Sequence, residues 1–141
     1  MATIPDILII DDDRDLVNSV RIILESRNYH VRSAYDGQEG YRSIEEKIPD
    51  LVILDVMMTT DTEGFDLAYK LRRNPKYVNI PILMVTGFTQ RMADLGPENF
   101  QHILSEDWPV SQFLEKPIDP EQLLAAAEAL LKGEASYGHH Q

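Results

Sequence analysis

Pro49-Asp50-Leu51-Val52-Ile53-Leu54-Asp55-Val56-Met57-Met58 is the stretch on which the fold turns. Four apolar residues in succession, Leu51 to Leu54, lack the alternation of an antiparallel sheet that is wet on one side. They suit a strand buried on both faces, and such strands belong to parallel sheets. Asp55 then interrupts the apolar run. A carboxylate at the edge of a buried strand is costly unless it turns the chain, caps a helix or has a partner.

Two further runs share this character, Ile7 to Ile10 and Ile82 to Val85. Weaker strand signals lie at His30 to Ala34 and at Gln112 to Glu115, the latter just before Lys116-Pro117. Segments with helical spacing alternate with these strands. Leu16, Val20, Ile23 and Leu24 form the first stripe, in a helix ending near Arg27. A short helix over Gln38 to Glu45 and another carrying Leu67 and Leu71 after Gly64 follow. The last helix has Asp119 as N-cap, Pro120 in its first position, an apolar face of Leu123, Leu124, Ala127, Leu130 and Leu131, and Gly133 as its stop. Five strands alternating with helices predict a right-handed doubly wound α/β domain. Ligands of such domains sit at the carboxyl ends of the strands, near a topological switch point.

The 141 residues suffice for one domain with one core, over 1–133, and the tail 134–141, including His139 and His140, reads as loose and solvated. The 24 acidic against 13 basic residues give a net charge of −11, which repels phosphate backbones and anionic bilayers. Direct nucleic-acid binding is therefore not expected. With no cysteine there is no disulfide framework, thiol catalysis or thiolate metal centre. The apolar runs are too short for membrane insertion or a signal-peptide core, so a cytoplasmic protein is expected.

The residues that follow strands one, three, four and five are Asp11, Asp12 and Asp13, then Asp55, Thr86 and Lys116. Asp13 suits a helix cap. Taken singly, Asp55 and Thr86 also fit turns or caps, and Lys116 fits a solvated surface amine. Together they fit another chemistry. Carboxylates converging from neighbouring strands call for a cation, and hard oxygen donors favour Mg²⁺ over zinc or copper. A carboxylate beside such an ion can attack phosphorus, with an ammonium and a hydroxyl meeting the phosphoryl oxygens.

Four motifs in order, Ile7-Leu-Ile-Ile-Asp-Asp-Asp13, Pro49 to Met58, Pro81-Ile-Leu-Met-Val-Thr-Gly87 and Phe113-Leu-Glu-Lys-Pro117, closely resemble the receiver domain of two-component response regulators. The resemblance extends from about Asp6 to Lys132. It implies a flavodoxin-like α/β fold, with a doubly wound five-stranded parallel sheet of strand order 2-1-3-4-5, about five helices and three α/β/α layers. It also implies a signalling module that acts chemically only on itself. Asp55 would accept a phosphoryl group from a sensor histidine kinase or a histidine phosphotransfer domain. Asp12, Asp55 and the Met57 carbonyl would hold Mg²⁺, with Mn²⁺ as a substitute, and Asp11 would hold it through water. Lys116 would pair with the phosphoryl group. Thr86 and Phe113 would form the switch that reshapes a face for an unknown downstream protein, although Phe113 also fits a core aromatic. The Lys116-Pro117 bond matches a position that is usually cis. A weak homodimer through the helices flanking the last strand is a family expectation.

Some positions depart from the family pattern. Thr59 stands where a proline is usual, and Thr59 to Glu63 reaches Gly64 one residue late, with Asp61 and Glu63 as extra carboxylates near the pocket or in solvent. The segment from Thr86 to Lys116 is long and contains Phe100, Ile103, Leu104 and Trp108, which fits either a reshaped partner face or a tolerated surface loop. Met57 and Phe88 are apolar where the family tunes hydrolysis, so a long-lived phosphorylated state is expected. No output domain is expected after the last strand. The chain would bind another protein, relay phosphate or represent an excised receiver. A haloacid-dehalogenase-like phosphatase is the competing enzyme reading, with Asp11 as its nucleophile, and a phosphorylation-independent interaction domain is the third.

Overall fold

The computed structural model describes residues 3–55, 63–86 and 111–133, and for Glu63, Thr86, Phe113 and Glu115 the backbone alone. The elements alternate in the order β1 (Asp6–Ile10), α1 (Arg14–Glu25), β2 (His30–Ala34), α2 (Gly37–Glu46), β3 (Leu51–Leu54), α3 (Glu63–Arg72), β4 (Ile82–Thr86), β5 (Gln112–Glu115) and α4 (Pro120–Leu131). All four strand pairings are parallel, and the order is β2-β1-β3-β4-β5. The fold is the flavodoxin-like α/β class, with four helices among the described residues. The fifth helix expected from the sequence, Thr59 to Asp61, the segment with Phe88 and Trp108, and the tail with His139 and His140 lie outside those residues.

The uninterrupted apolar strands feed two cores at once, because successive side chains on a strand point to opposite faces. Leu8, Ile10, Val52, Leu54, Ile82 and Met84 pack on one face with Ile44 of α2 and Leu67 and Leu71 of α3. Ile7, Ile9, Leu51, Ile53, Leu83 and Val85 pack on the other with Val17, Val20 and Leu24 of α1 and Leu123, Ala127 and Leu130 of α4. Three α/β/α layers result. The expected helix stripes need small corrections. In α1 Val17 is fully enclosed together with Leu24, with Leu16 and Ile23 at the margin, and in α4 Ala126 is buried while Leu124 and Leu131 are marginal.

Helix ends follow local chemistry. The carboxylates of Asp13, Asp36 and Asp119 accept the N–H groups of Leu16, Glu39 and Gln122, closing the first turns of α1, α2 and α4. Gly133, at φ +88°, follows α4 in the left-handed region where glycine is favoured.

Gly40 brings α2 close to the sheet. A Cβ there would lie 2.5 Å from Ile10 Cδ1, 3.0 Å from Cγ1 and 3.2 Å from Cγ2. Ile10 is fully buried, so its side chain would have to shift against the packed core around it. Overpacking costs about 1–3 kcal/mol, whereas replacing a helical glycine recovers at most about 1 kcal/mol of propensity. Valine adds more bulk and recovers less propensity than alanine. Gly40→Val should therefore lower the urea midpoint, and Gly40→Ala should lower it less. A midpoint at or above wild type for the valine variant would show that α2 is free to move outward.

Candidate functional site

The acidic residues converge because of strand register. Ile10 of β1 pairs with Leu54 of β3, so Asp11 and Asp55 leave the two central strands side by side. The backbone ladder continues one step past both strands. Asp55 N–H donates to the Ile10 carbonyl at 3.0 Å, and Asp11 N–H donates to the Ala34 carbonyl of β2 at 3.1 Å. From β1 the chain passes through α1 to β2 on one flank, whereas β3 lies on the other, which makes this a topological switch point.

Asp11 and Asp55 are buried, at 3% and 5% exposure, while Asp12 is exposed. One oxygen from each of Asp11, Asp12 and Asp55 lies within 4.8 Å of the others. The Asp13 N–H donates to Asp11 Oδ1 at 2.9 Å and fixes that carboxylate. Lys116 follows β5, and its Nζ reaches Asp11 Oδ2 at 3.4 Å and Asp55 Oδ1 at 3.7 Å. The Lys116-Pro117 peptide is cis. Burial pushes the Asp11 carboxyl above its ordinary range. The Asp13 N–H and Lys116 oppose that rise, and Asp12 adds to it.

Three carboxylates against one ammonium leave the cluster two charges negative. Its donors are hard oxygens, one of them on an exposed side chain. That donor set fits a divalent cation of the Mg²⁺ type, which binds few carboxylates and keeps several waters.

The structure places the other expected residues less completely. Thr86 ends β4 and pairs with Glu115, which puts its backbone at the same sheet edge as Lys116. Phe113 pairs with Met84 within the sheet. The Thr86 and Phe113 side chains and all of Met57 lie outside the described residues. Asp13 and Asp119 serve as helix caps.

One strand end was passed over in the sequence, that of β2. Tyr35 stands there, directly after Ala34, and the Arg14 guanidinium lies 3.9 Å from the centre of its ring. The signal was available in principle, since every strand end of such a sheet faces the ligand crevice.

Residues 7–128 match the family model described as the response regulator receiver domain. The chain belongs to that family. It is 37% identical over 128 residues to the DNA-binding dual master transcriptional regulator RpaA of Synechocystis, covering 91% of this chain and 49% of RpaA. The chain thus spans about half the length of the curated relatives it matches. Among solved structures, the CheY-like receiver domain protein of Methanospirillum hungatei superposes with a TM-score of 0.74 at 27% identity, covering 93% of this chain and 96% of that one. The chemotaxis response regulator CheY4 of Vibrio cholerae gives 0.74 at 29% identity, covering 91% and 99%. The protein therefore carries the receiver domain of a two-component response regulator, a signalling module. Among the described residues no helix is long and apolar enough to cross a membrane.

Proposed function

We propose that this receiver domain accepts a phosphoryl group on Asp55 from the phosphohistidine of a sensor histidine kinase or phosphotransfer domain. The observation that carries the reading is the pairing of a buried Asp55 with Lys116 beside Asp11 and Asp12 at the switch point. An Asp55 carboxylate oxygen attacks phosphorus, the P–N bond breaks, and the imidazole leaves with the electron pair and takes up a proton. An acyl phosphate remains on Asp55. Lys116 meets the developing charge on the phosphoryl oxygens from the β5 side, and the ladder bond from Asp55 N–H to Ile10 fixes the nucleophile's backbone. Asp11, Asp12, Asp55 and the Met57 carbonyl would hold Mg²⁺, or Mn²⁺ in its place, which when bound neutralises phosphoryl charge.

The added group brings about −1.5 to −2 charges and new acceptor oxygens, enough to bias an element with two conformations separated by a few kcal/mol. Thr86 and Phe113 are the proposed element, acting on contacts with a downstream protein or, in a phosphorelay, with a phosphotransfer domain. Residues 1–133 form the proposed receiver domain and 134–141 its tail. The net charge of −11 supports action through proteins rather than through direct contact with nucleic acid.

Incubation with acetyl phosphate and Mg²⁺, read by intact-mass and peptide mass spectrometry, tests this assignment. Wild type should gain one labile phosphate and Asp55→Asn none. A phosphate retained on Asp55→Asn and lost from Asp11→Asn would transfer the nucleophile to Asp11 and overturn the proposal.

A further inference from the structure

Arg14 occupies the first position of α1, immediately after the Asp13 cap. It lies on the β2 flank of the acidic cluster, whereas Lys116 approaches from the β5 flank. The Tyr35 ring beneath it is held at both ends. Its backbone N–H donates to Glu39 Oε1 at 2.6 Å, and Glu39 is itself fixed by donating its N–H to Asp36 Oδ1 at 2.7 Å. Its hydroxyl lies 3.4 Å from Ser33 Oγ, which accepts from Arg21 Nη2 at 2.8 Å. Ala34, the residue before Tyr35, receives the Asp11 N–H, so the ring is tied through one residue to the cluster's backbone.

An exposed arginine usually sweeps a wide volume. Here stacking on an anchored ring restricts the guanidinium to the rim of the crevice, an arrangement suited to arginine's flat, weakly hydrated cation. Asp12, Asp13 and Asp15, neighbours of Arg14 in sequence, are all exposed, and the whole chain is strongly acidic. A phosphoryl donor is an anion and must cross that field. A fixed cation at the mouth lowers the barrier to its approach.

We propose that Arg14, seated on Tyr35, is a positioning residue for the anionic phosphoryl donor, drawing it to Asp55 from the β2 side. This rests on the phosphoacceptor role proposed above. Arg14 contributes to encounter and orientation, and it makes and breaks no bond.

The test is the initial rate of phosphorylation by acetyl phosphate in saturating Mg²⁺, measured by mass spectrometry over a range of donor and salt concentrations. Arg14→Gln should lower the apparent second-order constant about two- to fivefold, the scale of one exposed charge. The limiting rate at saturating donor and the lifetime of the acyl phosphate should not change, and the salt dependence should flatten. Arg14→Lys, which keeps the charge without the flat stacking face, should fall between wild type and Arg14→Gln, as should Tyr35→Leu, and Tyr35→Phe, which keeps the ring and loses only the Ser33 contact, should lie nearest wild type. The less charged donor phosphoramidate should respond less to Arg14→Gln than acetyl phosphate does. An unchanged second-order constant and salt slope in Arg14→Gln would overturn the inference while leaving Asp55 as acceptor. A wild-type protein that takes no phosphate from either donor would overturn both.

Discussion

Arg32→Ala should destabilise the domain by about 3 kcal/mol, near the low end of the about 3–5 kcal/mol seen when one member of a buried ion pair is removed. The pair lies at the end of the sheet opposite the acidic cluster. Asp6 opens β1 at 4% exposure, and Arg32 of β2 binds it as a fork, with Nε at 3.2 and 3.1 Å from its two oxygens and Nη2 at 2.8 Å from Oδ2. The remaining guanidinium donors reach the Ser43 carbonyl at 3.1 Å, Ser43 Oγ at 2.7 Å and the Lys47 carbonyl at 2.8 Å. Those carbonyls belong to the end of α2, where a cation also complements the helix dipole.

Alanine would leave Asp6 with His30, whose Nδ1 donates at 3.0 Å but whose side chain is 60% exposed. That remaining bond places the cost at the low end. Arg32→Lys should recover only part of it, since an ammonium cannot span the carboxylate and two helix-end carbonyls together. The double variant Asp6→Leu/Arg32→Met should be more stable than Arg32→Ala, because neither change strands a buried charge. Urea unfolding of the four proteins decides the matter. A loss under about 1 kcal/mol in Arg32→Ala would mean that Asp6 gains water when the arginine is removed.

This network shows where the sequence stopped being legible. β1, β3 and β4 were readable because each is a short apolar run buried on both faces, and that pattern has few other meanings. β2, with its edge position and its exposed His30, carries a weaker signal. Asp6 stands at the head of β1 and Arg32 in the middle of β2, and no spacing in the sequence links the two. Only the register Asp6↔His30 brings them together across 26 positions of sequence. The acidic cluster was easier, because the carboxyl-end rule reduces a three-dimensional search to a few positions after each strand. Arg14 and Tyr35 escaped for the converse reason. Their meeting depends on the reach of a side chain across the end of β1, and no spacing in the chain encodes that distance.

In the absence of divalent cations, Asp11→Asn should make the domain more stable at neutral pH, in line with the trade-off between stability and a charge-crowded functional site. Asp11 is buried, and its carboxyl titrates above the ordinary value of 3.8, chiefly through burial, with Asp12 adding repulsion. The folded state therefore keeps the Asp11 proton at a pH where the unfolded chain has released it. Stability from this group is complete below pH 3.8 and falls as pH rises through the raised folded value, so at neutral pH the ionised group is a penalty. Asparagine keeps an oxygen for the Asp13 N–H and removes the charge, so the difference between variant and wild type should open as pH rises through that window. Adding Mg²⁺ should reverse the order. A cation bound only by the folded wild type contributes about 2.7 kcal/mol at a hundred times its Kd, and the variant, lacking one carboxylate, should gain less. Thermal melts across pH in EDTA and then in Mg²⁺ measure both effects. If Asp11→Asn were less stable than wild type in EDTA, the crowded carboxylates would be a structural asset held together by Lys116. If it is more stable, the domain keeps this charge at the expense of its own fold, which is the thermodynamic mark of a site maintained for a ligand.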